Sequence, residues 1–344
     1  MSGVQISQRP LFRNPESKGD RCVYIIFSYI LRMSFNNKIN VISYLIIRLI
    51  ILTFIMKSFL LKLIPKSIFP HFVELSQIMK NPYNENKFLN VFKYFHYIIL
   101  EKKGDKILKA KLINGKTTLV YPDSDPGVSD LYDANDYLYL DFIRNNIKKN
   151  TNIVDAGCNV GNRTLSIDDI ILGGLLIDGN KTCLERVKEN FEQNNISLRK
   201  YKLLNNLVGF DVGYYHFDDN GGADTSNKIN NNVQGNKVYL DRIDNLVSKY
   251  KINDLGLIKT DVEGFDLDAL RGAQETINNN RDCIVLFERW ADVDINAFYE
   301  LFNNLSFKIF TLNSNKKIDC NKSIIAKSQN LFAISEKNFN LINN

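Results

Sequence analysis

Ten residues, Asn152-Ile153-Val154-Asp155-Ala156-Gly157-Cys158-Asn159-Val160-Gly161, constrain this chain more than any other stretch. An apolar, β-branched run ends in an acid and passes at once into a Gly-x-x-x-Gly turn. That order places a buried strand ahead of a turn tight enough for backbone to approach a ligand where a side chain would clash. A dinucleotide-binding fingerprint requires Gly-x-Gly-x-x-Gly, and Asn159 and Asn162 stand where its second and third glycines would fall. The Asp-x-Gly-x-x-x-Gly spacing instead matches sites for S-adenosylmethionine, where no pyrophosphate has to be cradled. The bland alternative is a plain strand–turn–helix connection.

The 344 residues suffice for one large domain or two modest ones, and 44% hydrophobic residues suffice for a core. The five cysteines are scattered without a Cys-x-x-Cys pair, and the three histidines are isolated from one another. This argues against a disulfide framework, a zinc ribbon and a histidine metal site, and for reduced thiols in the cytoplasm. Charge is divided unevenly. Residues 1–121 carry 19 Lys and Arg against 6 Asp and Glu, whereas residues 122–344 carry 25 against 32. A basic first part and an acidic second part suggest an anchor joined to a catalytic domain, and an acidic domain argues against nucleic acid as substrate.

Residues 1–21 are polar and aperiodic and predict a flexible tail. Residues 22–70 form a hydrophobic, basic helical segment, with an apolar stretch over 41–56 and Lys57, Lys62 and Lys66 behind it. Sixteen helical residues cover about 24 Å, short of a hydrocarbon core of about 30 Å. Arg48 within the stretch costs about 2.5–3.5 kcal/mol on insertion. Spanning the membrane, lying on it and packing against the protein all stay open, and the expectation is a cytoplasmic protein associated with a membrane through residues 22–64. Residues 71–149 are expected to hold N-terminal helices and a hairpin, with strands 107–113 and 116–121 around Asn114-Gly115 and a helix over 136–148.

From residue 150 to 336 short apolar runs alternate with helical patterns. Strands are expected at 175–178, 201–204, 238–240, 257–260 and 283–287, and helices at 181–194, 244–250 and 267–278. A terminal antiparallel pair is expected at 307–312 and 331–334. This alternation predicts a mostly parallel sheet covered by helices.

In such a sheet, acids at the carboxyl ends of strands face the ligand crevice. Asp155 ends one predicted strand, and Asp178 ends the next, at a distance suited to a ribose diol; an alternative for Asp178 is capping of the following helix. Gly157, Asn159 and Gly161 shape the turn toward the cofactor. A second block, Ile258-Lys259-Thr260-Asp261-Val262-Glu263-Gly264-Phe265-Asp266, runs from a strand into two carboxylates and a glycine. Asp261 and Glu263 could orient or deprotonate a hydroxyl, or together hold a divalent cation. Glu288 is a further acid on the same edge. Acceptor contacts are expected from the loops at 211–236 and 292–299.

Residues from about 116 to 334 resemble the FkbM-type S-adenosylmethionine-dependent methyltransferases. The resemblance rests on the block from Val154 to Gly161, on Leu176-Ile177-Asp178-Gly179-Asn180, on Lys259-x-Asp261-Val262-Glu263-Gly264 and on Leu270-Arg271-Gly272-Ala273. Cys158 stands in place of the family's usual alanine, and Asp178-Gly179-Asn180 replaces Glu-Pro-Asn. The helix after Gly161 is unusually polar. The resemblance implies a Rossmann-like α/β methyltransferase sheet behind a hydrophobic, basic helical extension. It also implies S-adenosylmethionine as cofactor, Asp155, Gly157, Asn159, Gly161 and Asp178 as its contacts, and Asp261 and Glu263 as catalytic groups. The implied acceptor is a hydroxyl of a carbohydrate, glycolipid or related small molecule. The alternatives are a catalytically silent, membrane-tethered binding module and a methyltransferase acting on RNA or protein. Oligomeric state is not legible.

Overall fold

The computed structural model describes residues 108–121, 134–218, 228–229, 236–313 and 315–342. The expected tail, the segment 22–70 and residues 71–107 lie outside these residues. Among the described residues no helix is long and apolar enough to cross a membrane.

The chain enters through an antiparallel hairpin, β1 (Leu108–Lys111) and β2 (Thr117–Val120). Asn114 and Gly115 make the turn, as the alternating pattern predicted, and the Asn114 amide donates to the Leu165 carbonyl at 2.9 Å. Helix α1 (Ala134–Asn146) follows. The main sheet then begins with β3 (Asn152–Ala156), α2 (Asn162–Ile167), β4 (Gly173–Asp178), α3 (Lys181–Gln193) and β5 (Tyr201–Asn205). It resumes with α4 (Ile243–Tyr250), β10 (Leu255–Thr260), α5 (Asp266–Arg271), α6 (Gln274–Asn279), β11 (Ile284–Glu288), α7 (Ile295–Asn304) and β12 (Phe307–Leu312). It closes with β13 (Ile318–Asp319), α8 (Lys322–Ile325), β14 (Asn330–Ser335) and α9 (Glu336–Ile342).

The spatial order of the eight strands is β13-β12-β14-β11-β10-β3-β4-β5. From β11 to β5 all neighbours are parallel, and β14 inserts antiparallel between β11 and β12. Strand alternation sends Ile153, Leu176 and Leu257 to one face, under Leu140, Ile143, Leu165 and Val187 of the first three helices. Val154, Ile177, Ile258 and Val285 pack on the other face against Leu246, Leu270, Ile277 and Phe302. The chain builds outward from β3 to β5 and returns to β10 on the other side of β3. The order therefore reverses between β3 and β10, and their carboxyl ends border the crevice where open α/β sheets bind ligands.

Three expectations need correction. The stretch 211–236 is not one loop. It contains β7 (Gly213–Asp218) and β8 (Lys228–Ile229), and β9 (Asn236–Asp241) begins at its end; with β6 (Leu207–Val208) they form a second, four-stranded sheet in the order β6-β9-β7-β8. Leu207, Phe217, Val238 and Leu240 give it a core of its own. The stretch 292–299 enters α7, whose N-cap Asp294 accepts from the Asn296 amide at 3.0 Å. The single helix expected over 267–278 is broken into α5 and α6. A Cβ on Gly272 would lie 2.1 Å from the Gly209 carbonyl oxygen, so the chain is pinned against a neighbouring loop at the break.

Candidate active site

The turn after β3 is built by left-handed backbone. Gly157, Asn159 and Gly161 have φ of 72°, 48° and 81°. A Cβ on Gly157 would stand 1.8 Å from the carbonyl oxygen of Asp261, which no side chain can meet. The Gly157 and Cys158 amides donate to the Ile177 carbonyl at 2.9 and 3.1 Å, closing the turn over the end of β4. Asn190, fully buried on α3, accepts from the Leu119 amide at 2.7 Å and donates to the Val160 carbonyl at 2.9 Å. The entry hairpin and the glycine turn are thereby joined through one side chain.

Asp155 is 2% exposed and lies beneath this turn. Its Oδ2 accepts from the Thr164 hydroxyl at 2.6 Å, and its Oδ1 stands 3.1 Å from Lys259 Nζ, an ion pair without the alignment of a hydrogen bond. The polar helix α2 is explained here. Thr164 is spent on Asp155, and the Ser166 hydroxyl donates to the Asn162 carbonyl at 2.8 Å, so both are buried with partners.

Asp178 ends β4, half-buried. Its two oxygens accept from the backbone amides of Asn159 and Asn180, each at 2.8 Å. Burial raises its carboxyl to about 6 against the pull of these amides. Capping of α3 falls to Asn180, whose side chain accepts from the Thr182 amide at 2.9 Å. Asp178 is thus excused from the cap, and each of its oxygens keeps a lone pair for a further donor.

At the end of β10, Asp261 Oδ2 meets Arg163 Nη1 at 2.5 Å and Lys259 Nζ at 3.6 Å. Burial would raise this carboxyl, but the charges of Lys259 and Arg163 prevail and hold it at about 2. Glu263 occupies the next turn with φ of 54°, and Gly264 follows with φ of 90° beneath the Trp290 indole. Glu288, at the end of β11, accepts from Trp290 Nε1 at 3.1 Å and from the Gln329 amide. Asp266 is 1% exposed, and burial together with the Asp261 charge raises it to about 7.

The structure brings Asp155, Gly157, Asp178 and Asp261 to one edge on adjoining strands. Lys259, Arg163, Thr164 and Trp290 had no role assigned from sequence. Lys259 carried a usable signal, since a lysine inside a fully buried strand must have partners. A divalent cation shared by Asp261 and Glu263 finds no support. Among the described residues no three His, Cys, Asp or Glu side chains are grouped to hold a metal ion, and two cationic side chains already face Asp261.

Residues 146–309 match the family model for the methyltransferase FkbM domain. No curated protein matches the chain. Among solved structures, the chain is similar to a methyltransferase FkbM from Methylobacillus flagellatus, with 13% identity and a TM-score of 0.37. That match covers 60% of this chain and 54% of the other, so the chain spans about half of that protein. It is also similar to an rRNA methylase from Streptococcus thermophilus, at 12% identity and TM-score 0.36, covering 58% of this chain and 93% of that one. A TehB-like SAM-dependent methyltransferase from Corynebacterium glutamicum matches at 14% identity and TM-score 0.34, over 59% and 89% of the two chains. What the comparisons establish for this chain is therefore a match to the methyltransferase FkbM domain, confined to residues 146–309.

Proposed function

We propose that this protein is an S-adenosylmethionine-dependent O-methyltransferase acting on a hydroxyl of a carbohydrate, glycolipid or related small molecule. The observation that carries the reading is the meeting of two strand ends at the sheet's reversal point. The glycine turn and Asp178 lie on one side, and Asp261 lies across the Gly157 backbone on the other. The residues fit the cofactor. Asp178 is a desolvated carboxylate, fixed by two amides, with lone pairs left for a diol. Gly157, Asn159 and Gly161 give the adjoining backbone its close approach.

When bound, S-adenosylmethionine supplies an electrophilic methyl group on a cationic sulfur. The chain has to hold it, align the acceptor oxygen and remove that oxygen's proton. In this reading Asp178 holds the ribose, Asp155 supports the turn from below, and Asp261 and Glu263 face the acceptor. The apolar, basic segment 22–64 holds the domain at a membrane surface; recovery of the full-length chain in the soluble fraction without detergent would refute that part.

Calorimetry with S-adenosylhomocysteine tests the core of the proposal, and absence of binding would end it. Asp155→Ala is expected to abolish binding. Glu263→Ala is expected to leave binding intact and lower turnover.

A further inference from the structure

Asp261 and Glu288 are adjacent groups with opposite surroundings. Strands β10 and β11 are parallel, with Thr260 opposite Phe287, so the next residue of each emerges side by side at the carboxyl edge. Asp261 is held by two cationic side chains. Glu288 is held by neutral donors, the Trp290 indole N–H and the Gln329 amide, and shares a side-chain hydrogen bond with Asp261; among the described residues no Lys or Arg pairs with it. The neighbouring Arg289 turns away, donating to the carbonyls of Val293 at 3.0 Å and Ala326 at 2.5 Å.

We propose that Glu288 is the group that takes the proton from the acceptor hydroxyl, while Asp261 stays charged and orients that hydroxyl. The inference rests on the methyltransferase reading above. A carboxylate pinned by Arg163 and Lys259 is a poor proton acceptor near neutral pH, because its conjugate acid is too strong. Glu288 has the reverse bias, since burial and the Asp261 charge both raise its carboxyl. Paired carboxyls pushed apart in this way divide acid–base work between them. The other groups around the pair agree with this division. Asp266, from α5, is itself raised to about 7 by burial and the Asp261 charge, so it holds its proton below that pH, and its buried Oδ1 has no hydrogen-bond partner. Glu263 lies in the turn between β10 and α5, while Arg163 and Lys259 both face Asp261.

The step balances. The acceptor oxygen gains the methyl carbon, the pair of the broken S–C bond stays on sulfur, and the hydroxyl proton passes to the Glu288 carboxylate. A sulfonium and a carboxylate become a neutral thioether and a neutral carboxyl, which then loses its proton to solvent.

Trp290 is the only tryptophan of the chain, so its emission reports on the carboxylate that its N–H contacts. The experiment is a fluorescence titration of the full chain from about pH 4 to 8, across the range of a raised glutamate. Wild type should show a transition centred above 4.5, the ordinary glutamate value. Glu288→Gln should abolish it, and Asp261→Asn should move it down by about one pH unit. A transition unchanged in Glu288→Gln overturns the proposal. If that variant does not fold, Asp261→Asn decides alone, and the absence of a downward shift overturns it. S-Adenosylhomocysteine binding by Glu288→Gln should stay within about threefold of wild type; a loss beyond about tenfold would place Glu288 in the cofactor half and overturn the role. Failure of wild type to bind at all would refute the methyltransferase reading, and the titration would stand apart from it.

Discussion

Lys259 Nζ donates to the carbonyl oxygen of Gly157 at 2.6 Å, joining the carboxyl end of β10 to the glycine turn after the neighbouring β3. The same ammonium lies 3.1 Å from Asp155 and 3.6 Å from Asp261. Burial alone would push it down, but the two carboxylates outweigh burial and hold it above the ordinary lysine value. One cation therefore neutralises an acid from each strand end and fixes the backbone between them. This makes the two halves of the proposed site a single packed unit.

Replacing Lys259 by Met should expose that dependence. The change leaves Asp155 buried without a counter-charge, and breaking a buried pair from one side costs about 3–5 kcal/mol. Chemical denaturation should show a loss of that order. The double variant Asp155→Asn, Lys259→Met should regain a large part of it, because the stranded charge is gone. A loss below about 1 kcal/mol in the single variant would mean that the pair contributes no more than a surface salt bridge.

Gly157→Ala and Gly161→Ala should differ sharply. At Gly157 the new methyl meets the Asp261 carbonyl oxygen at 1.8 Å, backbone against backbone, and one strand end must move. At Gly161 the nearest atom is a Val187 methyl at 3.2 Å, which a small side-chain shift relieves. Both pay for a left-handed φ, about 1 kcal/mol. Thermal unfolding should therefore show about 1–2 kcal/mol lost at Gly161 and more than about 2 at Gly157. S-Adenosylhomocysteine binding should be lost at Gly157, and equal effects at the two sites would contradict the close approach.

The parts legible in the sequence are those that local pattern dictates. Strands β3, β10 and β11 are largely apolar runs with an acid at or just past their carboxyl ends, and 107–121 reads as a hairpin from its Asn-Gly turn. Strand β7 was not legible. Gly-Tyr-Tyr-His-Phe-Asp is flanked by Gly, Asp and Asn, and its strand form comes from pairing with β9, for example Tyr215 with Val238. The break between α5 and α6 depends on Gly209, more than sixty residues away in the chain. The site divides in the same way. The acids announce themselves at strand ends, whereas Arg163 becomes a partner of Asp261 only once α2 is laid over β10.

Asp178 gives a pH dependence whose sign is fixed by its burial. Its carboxyl lies at about 6, against an ordinary value of 3.8. Between these values the folded chain holds more proton than the unfolded chain, so this residue's contribution to stability falls as pH rises and its penalty is complete above about 6. Cofactor binding runs the other way, because a diol needs the ionised carboxylate as acceptor. S-Adenosylhomocysteine affinity should be flat above about pH 7 and weaken toward pH 5, approaching tenfold per unit. Asp178→Asn should bind more weakly and lose this dependence, since its amide does not titrate. Calorimetry at several pH values checks both. A wild-type affinity flat from pH 5 to 8 would remove Asp178 from the ribose contact, whereas a slope that survives in Asp178→Asn would assign the titrating group to the raised Asp266.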